Sequence, residues 1–168
     1  MKKVIIAAVD LNFAIGNRDR LPWQGQQPAD MGRFVHLTMG FPIIMGRKTY
    51  ESFPRRPLRG RTNIVITRQV QYEGAGSVVT DSFEKALRIA EEEQKEKAFI
   101  IGGAEIYRQA IPIADELNLT MILHRFQADT FFPTLDARVW IRTDAEHFPK
   151  DSENRHPYSF LKFKRRNT

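Results

Sequence analysis

The chain has no cysteine among its 168 residues. Disulfides, thiolate nucleophiles and cysteine-ligated metals are therefore excluded, and the composition is compatible with a reducing compartment such as the cytoplasm. No apolar run approaches the ~20 residues that span a bilayer. Met1-Lys2-Lys3 followed by the apolar run from Val4 to Val9 has the outline of a secretory signal. That run is too short for a signal core and meets Asp10 without a small-residue cleavage site, so it reads as a strand. The histidines at 36, 124, 147 and 156 lack metal-ligand spacing, and no metal is expected. His124, at the end of a strand, reads as structural. No Ser/His/acid order is compelling either. The G-x-G-x-x-G fingerprint of an ordinary dinucleotide fold is missing, and Met45-Gly46-Arg47-Lys48-Thr49 lacks the glycine directly before lysine that a triphosphate loop needs. A kinase or ATPase is thereby disfavoured.

What is present is an ordinary globular composition, 42% hydrophobic and 27% charged. The length suits one domain over residues 1–168, burying about two-thirds of its unfolded surface. The net charge is +6, with basic clusters at Arg55, Arg56, Arg59 and Arg61 and at Lys162, Lys164, Arg165 and Arg166. Such a surface suits nucleic acid or anionic small molecules. Without zinc-finger spacing, RNA-stacking aromatics or a helix-turn-helix, nucleic acid is the minor alternative.

Apolar strands are expected at Val4–Val9, Ile43–Met45, Asn63–Thr67, Gly76–Thr80, Ala98–Ile101 and Leu117–Leu123. Helices are expected from Pro28 to Thr38, around Arg47–Ser52, after an Asp81 N-cap with Glu84 three residues on, and from Gly103 through Ile111. Two β-rich segments, Val139–Phe148 and Tyr158–Lys164, flank a polar turn and predict an antiparallel hairpin. The pattern predicts an α/β fold: a central, mainly parallel sheet of about eight strands with an antiparallel C-terminal hairpin, flanked by about four helices.

The stretch Leu21-Pro22-Trp23-Gln24-Gly25-Gln26-Gln27-Pro28-Ala29-Asp30 ends a long loop and starts a helix. Pro28 suits the first helical turn. Asp30, Phe34 and Leu37 share a face at i, i+4 and i+7, which sets a lone carboxylate beside an aromatic and a leucine. Two readings stand side by side. An acid in the first turn complements the helix dipole, worth about 0.3–1 kcal/mol. A carboxyl at the edge of an apolar pocket has a raised pKa and handles a proton. Elsewhere, Phe99–Ile101 runs into Gly102-Gly103 and a helix, either a phosphate site or a plain tight turn. Arg47 and Lys48, with Thr67-Arg68 at the next strand end, suit an extended phosphorylated ligand. Singly, each basic residue is better explained by a solvated face. Arg61 is placed to pair with a ligand carboxylate.

Taken in order, these motifs resemble the dihydrofolate reductase family across almost the whole chain. They are Ile5-Ile6-Ala7-Ala8, Ala14-Ile15-Gly16-Asn17, Leu21-Pro22-Trp23, Pro28-Ala29-Asp30, Ile44 to Thr49, Arg56-Pro57-Leu58-Arg59-Gly60-Arg61, Ile100-Ile101-Gly102-Gly103-Ala104-Glu105-Ile106-Tyr107, Leu119-Thr120 and Asp129-Thr130-Phe131-Phe132-Pro133.

The resemblance implies reduction of 7,8-dihydrofolate by NADPH, with hydride reaching C6 and a proton reaching N5. It implies that Asp30 binds the 2-amino and N3 edge of the pterin and assists protonation, with water delivering the proton, and that Thr120 orients Asp30. Leu21 and Trp23 join the catalytic set as a lid with the glutamines between. Ile6, Ala8, Met31, Phe34, Phe53, Leu58 and Ile101 would line the substrate pocket, and Arg61 would take the glutamate α-carboxylate. NADPH would lie across Ala8, Ile15, Gly16, Arg47, Lys48, Thr49, Thr67, Arg68, Ile101, Gly102, Gly103, Ala104, Glu105, Ile106 and Tyr107. Antifolates of the trimethoprim and methotrexate class are implied as ligands, and a cytoplasmic monomer as the working form.

The chain departs from the common bacterial pattern in two extra residues between Trp23 and Asp30, in Leu21 where some members carry methionine, and in Pro54-Arg55-Arg56 before Arg61. The nearest rival is an NADPH-dependent reductase of riboflavin synthesis. That enzyme is not expected to combine Pro-Ala-Asp with Thr120 and Arg61.

Overall fold

Strand β1 (Lys2–Asp10) is the axis of the molecule in a computed structural model that describes residues 1–166. Its side chains alternate between two apolar cores, as the period of two in a strand requires. Ile5, Ala7 and Val9 join one core with Phe83, Ala86, Ala90, Ile106, Tyr107 and Ala110. Val4 and Ile6 join the other with Ile43, Met45, Tyr50, Val65 and Phe99, and with the half-buried Phe34, Leu37 and Phe53 packed against it. Burial on both faces explains why this strand reads as an unbroken apolar run.

The other sheet strands are β3 (Ile43–Gly46), β4 (Asn63–Ile66), β5 (Val78–Thr80), β6 (Lys97–Ile100), β7 (Glu116–Ile122), β9 (Trp140–Phe148) and β10 (Tyr158–Arg165). Their order is β5-β4-β3-β6-β1-β7-β10-β9. All neighbours are parallel up to β7, and β10 then runs antiparallel to both β7 and β9. The expected hairpin therefore exists, with its second strand inserted next to β7 and its first at the sheet edge. A separate two-stranded ribbon joins β2 (Ala14–Gly16) to β8 (Thr130–Phe131). The first lies in the long loop expected before α1, the second in the Asp129–Pro133 motif, and both are too short to show alternation.

Helices α1 (Pro28–Thr38), α2 (Arg47–Ser52), α3 (Phe83–Glu92) and α4 (Ala104–Ala110) connect the strands. The N-cap of α3 is Ser82, not Asp81: its extended backbone lets the hydroxyl accept from Lys85 N–H. Asp81, one residue too early to cap, pairs instead with Lys85 Nζ at 2.6 Å.

Helix α1 has no cap from its own N-cap residue, Gln27. The turn between β9 and β10 supplies one: Ala29 N–H donates to Asn154 Oδ1 at 3.0 Å. Asn154 is itself held by Asp151, whose carboxyl accepts from its backbone and side-chain nitrogens. Gln27 adds a two-point contact, donating to the His156 carbonyl and accepting from His156 N–H. The two-residue expansion before α1 is thus docked onto the β9–β10 turn.

Candidate active site

A cavity of about 130 Å³ opens beneath α1 at the C-terminal end of β1. Ile6, Ala8, Leu21, Asp30, Met31, Phe34, Phe53, Ile101 and Tyr107 line it. These residues come from distant stretches because β1, α1, α2 and the end of β6 converge there. Phe34 and Phe53 stack with ring centroids 6.3 Å apart, forming an aromatic wall. Ala7, Thr49 and Ser52 also line the cavity without having been expected as substrate contacts.

Asp30 supplies the one carboxyl of this lining. Burial pushes its pKa up to about 6, against the opposing pull of a hydrogen bond from Thr120 and the charge of Arg33. The acid sits in the first turn, where it complements the helix dipole, and it is also desolvated, with its pKa raised. Thr120 is 2% exposed and lies opposite Ala8 across the β1–β7 pairing, behind the cavity rather than in its lining. The Tyr107 hydroxyl donates to the Ile6 carbonyl at 2.9 Å, and burial, with the nearby Asp30 charge, raises its pKa far above the usual range.

Leu58 and Arg61 sit at a neighbouring basic groove with Val35, Arg55, Arg56 and Arg59. Leu58 packs against the same core as Phe34 and Phe53. The Arg61 guanidinium lies 5.7 Å from the Phe34 ring centre and donates to Thr38 Oγ1 at 3.0 Å. Asn63, 2% exposed, holds this loop: it accepts from Leu58 N–H and donates to the carbonyls of Leu58 and Arg61. Only its place at the start of a strand was legible beforehand, because its partners lie two and five residues back in an irregular loop.

A second, open cleft of about 730 Å³ crosses the C-terminal ends of β3, β4 and β6. Gly46, Arg47, Lys48, Thr49, Thr67, Arg68, Gly103, Ala104, Glu105 and Ile106 line it, and Asp81–Glu84 and Gln109 complete it. A bridging cavity of about 360 Å³ connects it to the pocket and brings in Ala8, Ile15, Gly16, Leu21, Ile101 and Tyr107, together with Asp19, Arg20 and Thr130. Gly102 does not line these cavities. Its φ of +111° and the Tyr107 ring 3.0 Å from where a Cβ would stand leave room for glycine alone, and its carbonyl accepts from Gly46 N–H at 2.8 Å. A Cβ on Gly103 would press on Thr49 Oγ1 at 3.4 Å, narrowing the passage between the two cavities.

The cleft's cations are engaged by exposed acids: Arg47 with Glu51 at 2.8 Å, Lys48 with Asp19 at 3.4 Å and Arg68 with Glu105 at 3.0 Å. Surface pairs of this kind are worth about 0–1 kcal/mol, so they yield readily to a phosphate. Three cations, the hydroxyls of Thr49, Thr67 and Ser82, and a glycine-lined passage to an apolar pocket fit a phosphorylated dinucleotide such as NADPH.

Trp23 has a different place from the lid expected of it. It is 2% exposed and packs on Phe126 with ring centroids 5.6 Å apart, outside the cavity-lining sets. Leu21, 38% exposed, is the member of that segment that reaches both the pocket and the bridge. A large aromatic next to Pro22 signals burial as well as it signals a lid, and sequence does not separate the two.

Three comparisons bear on this geometry. A family model described as dihydrofolate reductase matches residues 3–165. The dihydrofolate reductase of Bacillus subtilis is 40% identical over 163 residues, covering 97% of this chain and 94% of its own length, and that of Haemophilus influenzae is 41% identical over 157 residues, covering 94% of each. The solved dihydrofolate reductase from Enterococcus faecalis, complexed with NADP(H) and RAB-propyl, superimposes with a TM-score of 0.91 at 32% identity, covering 99% of this chain and 97% of that one. On fold, site geometry and relatives together, the chain belongs to the dihydrofolate reductase family.

Proposed function

We propose that, in reducing 7,8-dihydrofolate to 5,6,7,8-tetrahydrofolate with NADPH, the chain binds the pterin in the pocket beneath α1 and uses Asp30 to hold the 2-amino and N3 edge and to assist protonation at N5. The observation that carries this is the single carboxyl in an apolar lining, its pKa pushed up to about 6 by burial. A carboxyl poised there keeps a protonated fraction near neutrality, which general acid work requires.

NADPH supplies the hydride that reaches C6. The chain's own residues bind, orient and exclude water. Ile6, Ala8, Met31, Phe34, Phe53 and Ile101 hold the pterin flat, and Leu21 covers the junction of the two ligands. Thr120 fixes the Asp30 carboxyl. Leu58 packs against the aromatic part of the tail, and Arg61 takes its α-carboxylate. Arg47, Lys48, Thr49, Thr67 and Arg68 receive the cofactor's phosphates, with Lys48, Thr67 and Arg68 near the adenosine end. Ala8, Ile15, Gly16, Ile101, Gly103, Ala104 and Tyr107 would shape the passage that brings the nicotinamide against the pterin, with Gly102 fixing the turn behind them and Glu105 and Ile106 on the cleft side.

The same reading makes residues 1–168 a single domain working as a cytoplasmic monomer, with antifolates of the trimethoprim and methotrexate class competing for the pocket. The test is a purified-protein assay of NADPH oxidation. Oxidation that depends on added dihydrofolate and is suppressed by trimethoprim or methotrexate is the expected result. NADPH oxidation indifferent to dihydrofolate would overturn the assignment.

A further inference from the structure

Arg33 lies one helical turn after Asp30 on α1 and enters the site described so far only through its charge. An arginine on a helix face ordinarily carries its head group into water. This one turns inward. Its guanidinium sits 4.5 Å from the centre of the Phe160 ring, Nη2 donates to Asn118 Oδ1 at 3.4 Å, and Nη1 is buried without a hydrogen-bond partner among the described residues.

The sheet register shows what lies beneath it. Thr120, Phe160 and Glu146 form one row across β7, β10 and β9, and Asn118, Lys162 and Asp144 form the next. Thr120, at the inner end of the first row, is the hydroxyl that binds Asp30. Arg33 therefore lies over the strip that joins the catalytic carboxyl to the edge of the sheet.

We propose that Arg33 is a positioning residue for the reductase reaction: clamped between Phe160 and Asn118, it keeps a fixed positive charge beside Asp30 and so sets how readily that carboxyl carries its proton. This rests on the reading of Asp30 as the proton-handling acid. A buried N–H without a partner is costly, and a hydrogen bond at 3.4 Å is a long one, so hydrogen bonding alone does not account for the placement. Charge does. A guanidinium stays protonated throughout the working pH range, even though burial lowers the Arg33 pKa. The charged groups around it are Asp30 on its own helix and Glu146 and Asp144 on β9. Asp144 is already paired with Lys162 of β10 at 3.4 Å, and Glu146 lies on the exposed edge strand. From the pocket side Asp30 meets Tyr107 of α4, whose phenol remains neutral, and the neutral Thr120 of β7. Among the described residues Arg33 is thus the one cation acting on Asp30, and it opposes the desolvation that raises the carboxyl's pKa.

The test is a carbon-13 NMR titration of the Asp30 carboxyl in the ligand-free protein, run beside the pH profile of hydride transfer. It uses the native chain, Arg33→Met and Arg33→Lys. Removing the charge is expected to move the Asp30 midpoint up by about half to one unit, with the rate profile moving the same way. Arg33→Lys should bring both back towards native values, which a purely packing role would not do. Should the methionine variant fail to fold, Arg33→Gln keeps an amide to meet Asn118, loses the charge and gives the same readout. A folded, charge-free variant with an unmoved midpoint overturns the role of Arg33 alone. A moved midpoint with an unmoved rate profile overturns the proton role of Asp30, and the positioning role with it.

Discussion

The pocket beneath α1 holds its charge in one desolvated, half-buried carboxyl, whereas the cleft across Gly46–Thr49 spreads its charge over solvated arginine, lysine and acid pairs. The two meet at Thr49, whose hydroxyl lies 3.4 Å from where a Cβ on Gly103 would stand. The difference is one of dielectric. In the pocket, desolvation outweighs the Thr120 hydrogen bond and the Arg33 charge and pushes a carboxyl pKa up to about 6. In the cleft, the lysine and arginine pairs are solvated and exchange partners at little cost. Changes in the pocket should therefore alter chemistry and its pH dependence. Changes in the cleft should alter binding and its salt dependence.

The sharpest way to break that division is Asp30→Asn. Asparagine keeps the shape but holds no transferable proton, so turnover at neutral pH should fall by about 10²–10⁴-fold. In the native protein the acid is protonated below its pKa, so the hydride-transfer rate should decline as pH rises through about 6. That limb should vanish in the variant. An active asparagine variant with an unchanged pH profile would remove Asp30 from the proton path. The same substitution has a stability signature of opposite sign. The folded pKa lies above the unfolded value, so the native carboxyl costs nothing below pH 4 and progressively more between pH 4 and 6, reaching about 2–3 kcal/mol at neutrality. Asp30→Asn should therefore melt higher than native at pH 7 and equally at pH 4, measured by thermal unfolding without ligands.

At the pocket mouth Arg61 should behave in an intermediate way. It is partly desolvated, which lowers its pKa, and its side chain is steadied by Thr38 and by the Arg59 carbonyl. A charge-assisted pair there is worth about 1.5–3 kcal/mol, so Arg61→Leu should raise the KM for dihydrofolate about 10–100-fold while turnover changes little. A substrate truncated before its glutamate should show the same KM with arginine or leucine at position 61. Equal KM values for both substrates in the native enzyme would contradict the assignment.

The same contrast explains what could be read without coordinates. Helix α1 was legible to its bounds because Pro28 and the spacing of Asp30, Phe34 and Leu37 are local signals. The strands of the parallel core were legible to within a residue or two, since burial on both faces writes an apolar run. The tertiary polar contacts were not. Asn154 capping α1, Gln27 bridging to His156 and Arg33 turning inward to Asn118 join residues 85 to 129 positions apart, and periodicity carries no trace of them. The exchange of Asp81 for Ser82 as the α3 cap shows a finer limit. Either side chain can cap, and a shift of one residue in the first helical turn decides which does. Trp23 shows another, because an aromatic in a glycine- and glutamine-rich loop reads as a cover until Phe126 is found beneath it.

The mildest effect should come from the open cleft, at Arg68. It stands two residues past the end of β4, its side chain is 88% exposed, and it pairs with Glu105 across the cleft. A phosphate at the adenosine end would displace that partner, gaining a doubly charged ligand for a pair worth little in water. Arg68→Gln should raise the KM for NADPH by about tenfold or less, leave turnover and its pH profile in place, and leave the KM for NADH almost unmoved, since NADH lacks the extra phosphate. Added salt should weaken NADPH binding to the native enzyme more than to the variant, because screening removes what the substitution has already taken away. A variant that loses NADPH and NADH affinity in equal measure would move Arg68 away from the extra phosphate. A variant with a changed pH profile would show that the cleft and the pocket are electrostatically coupled.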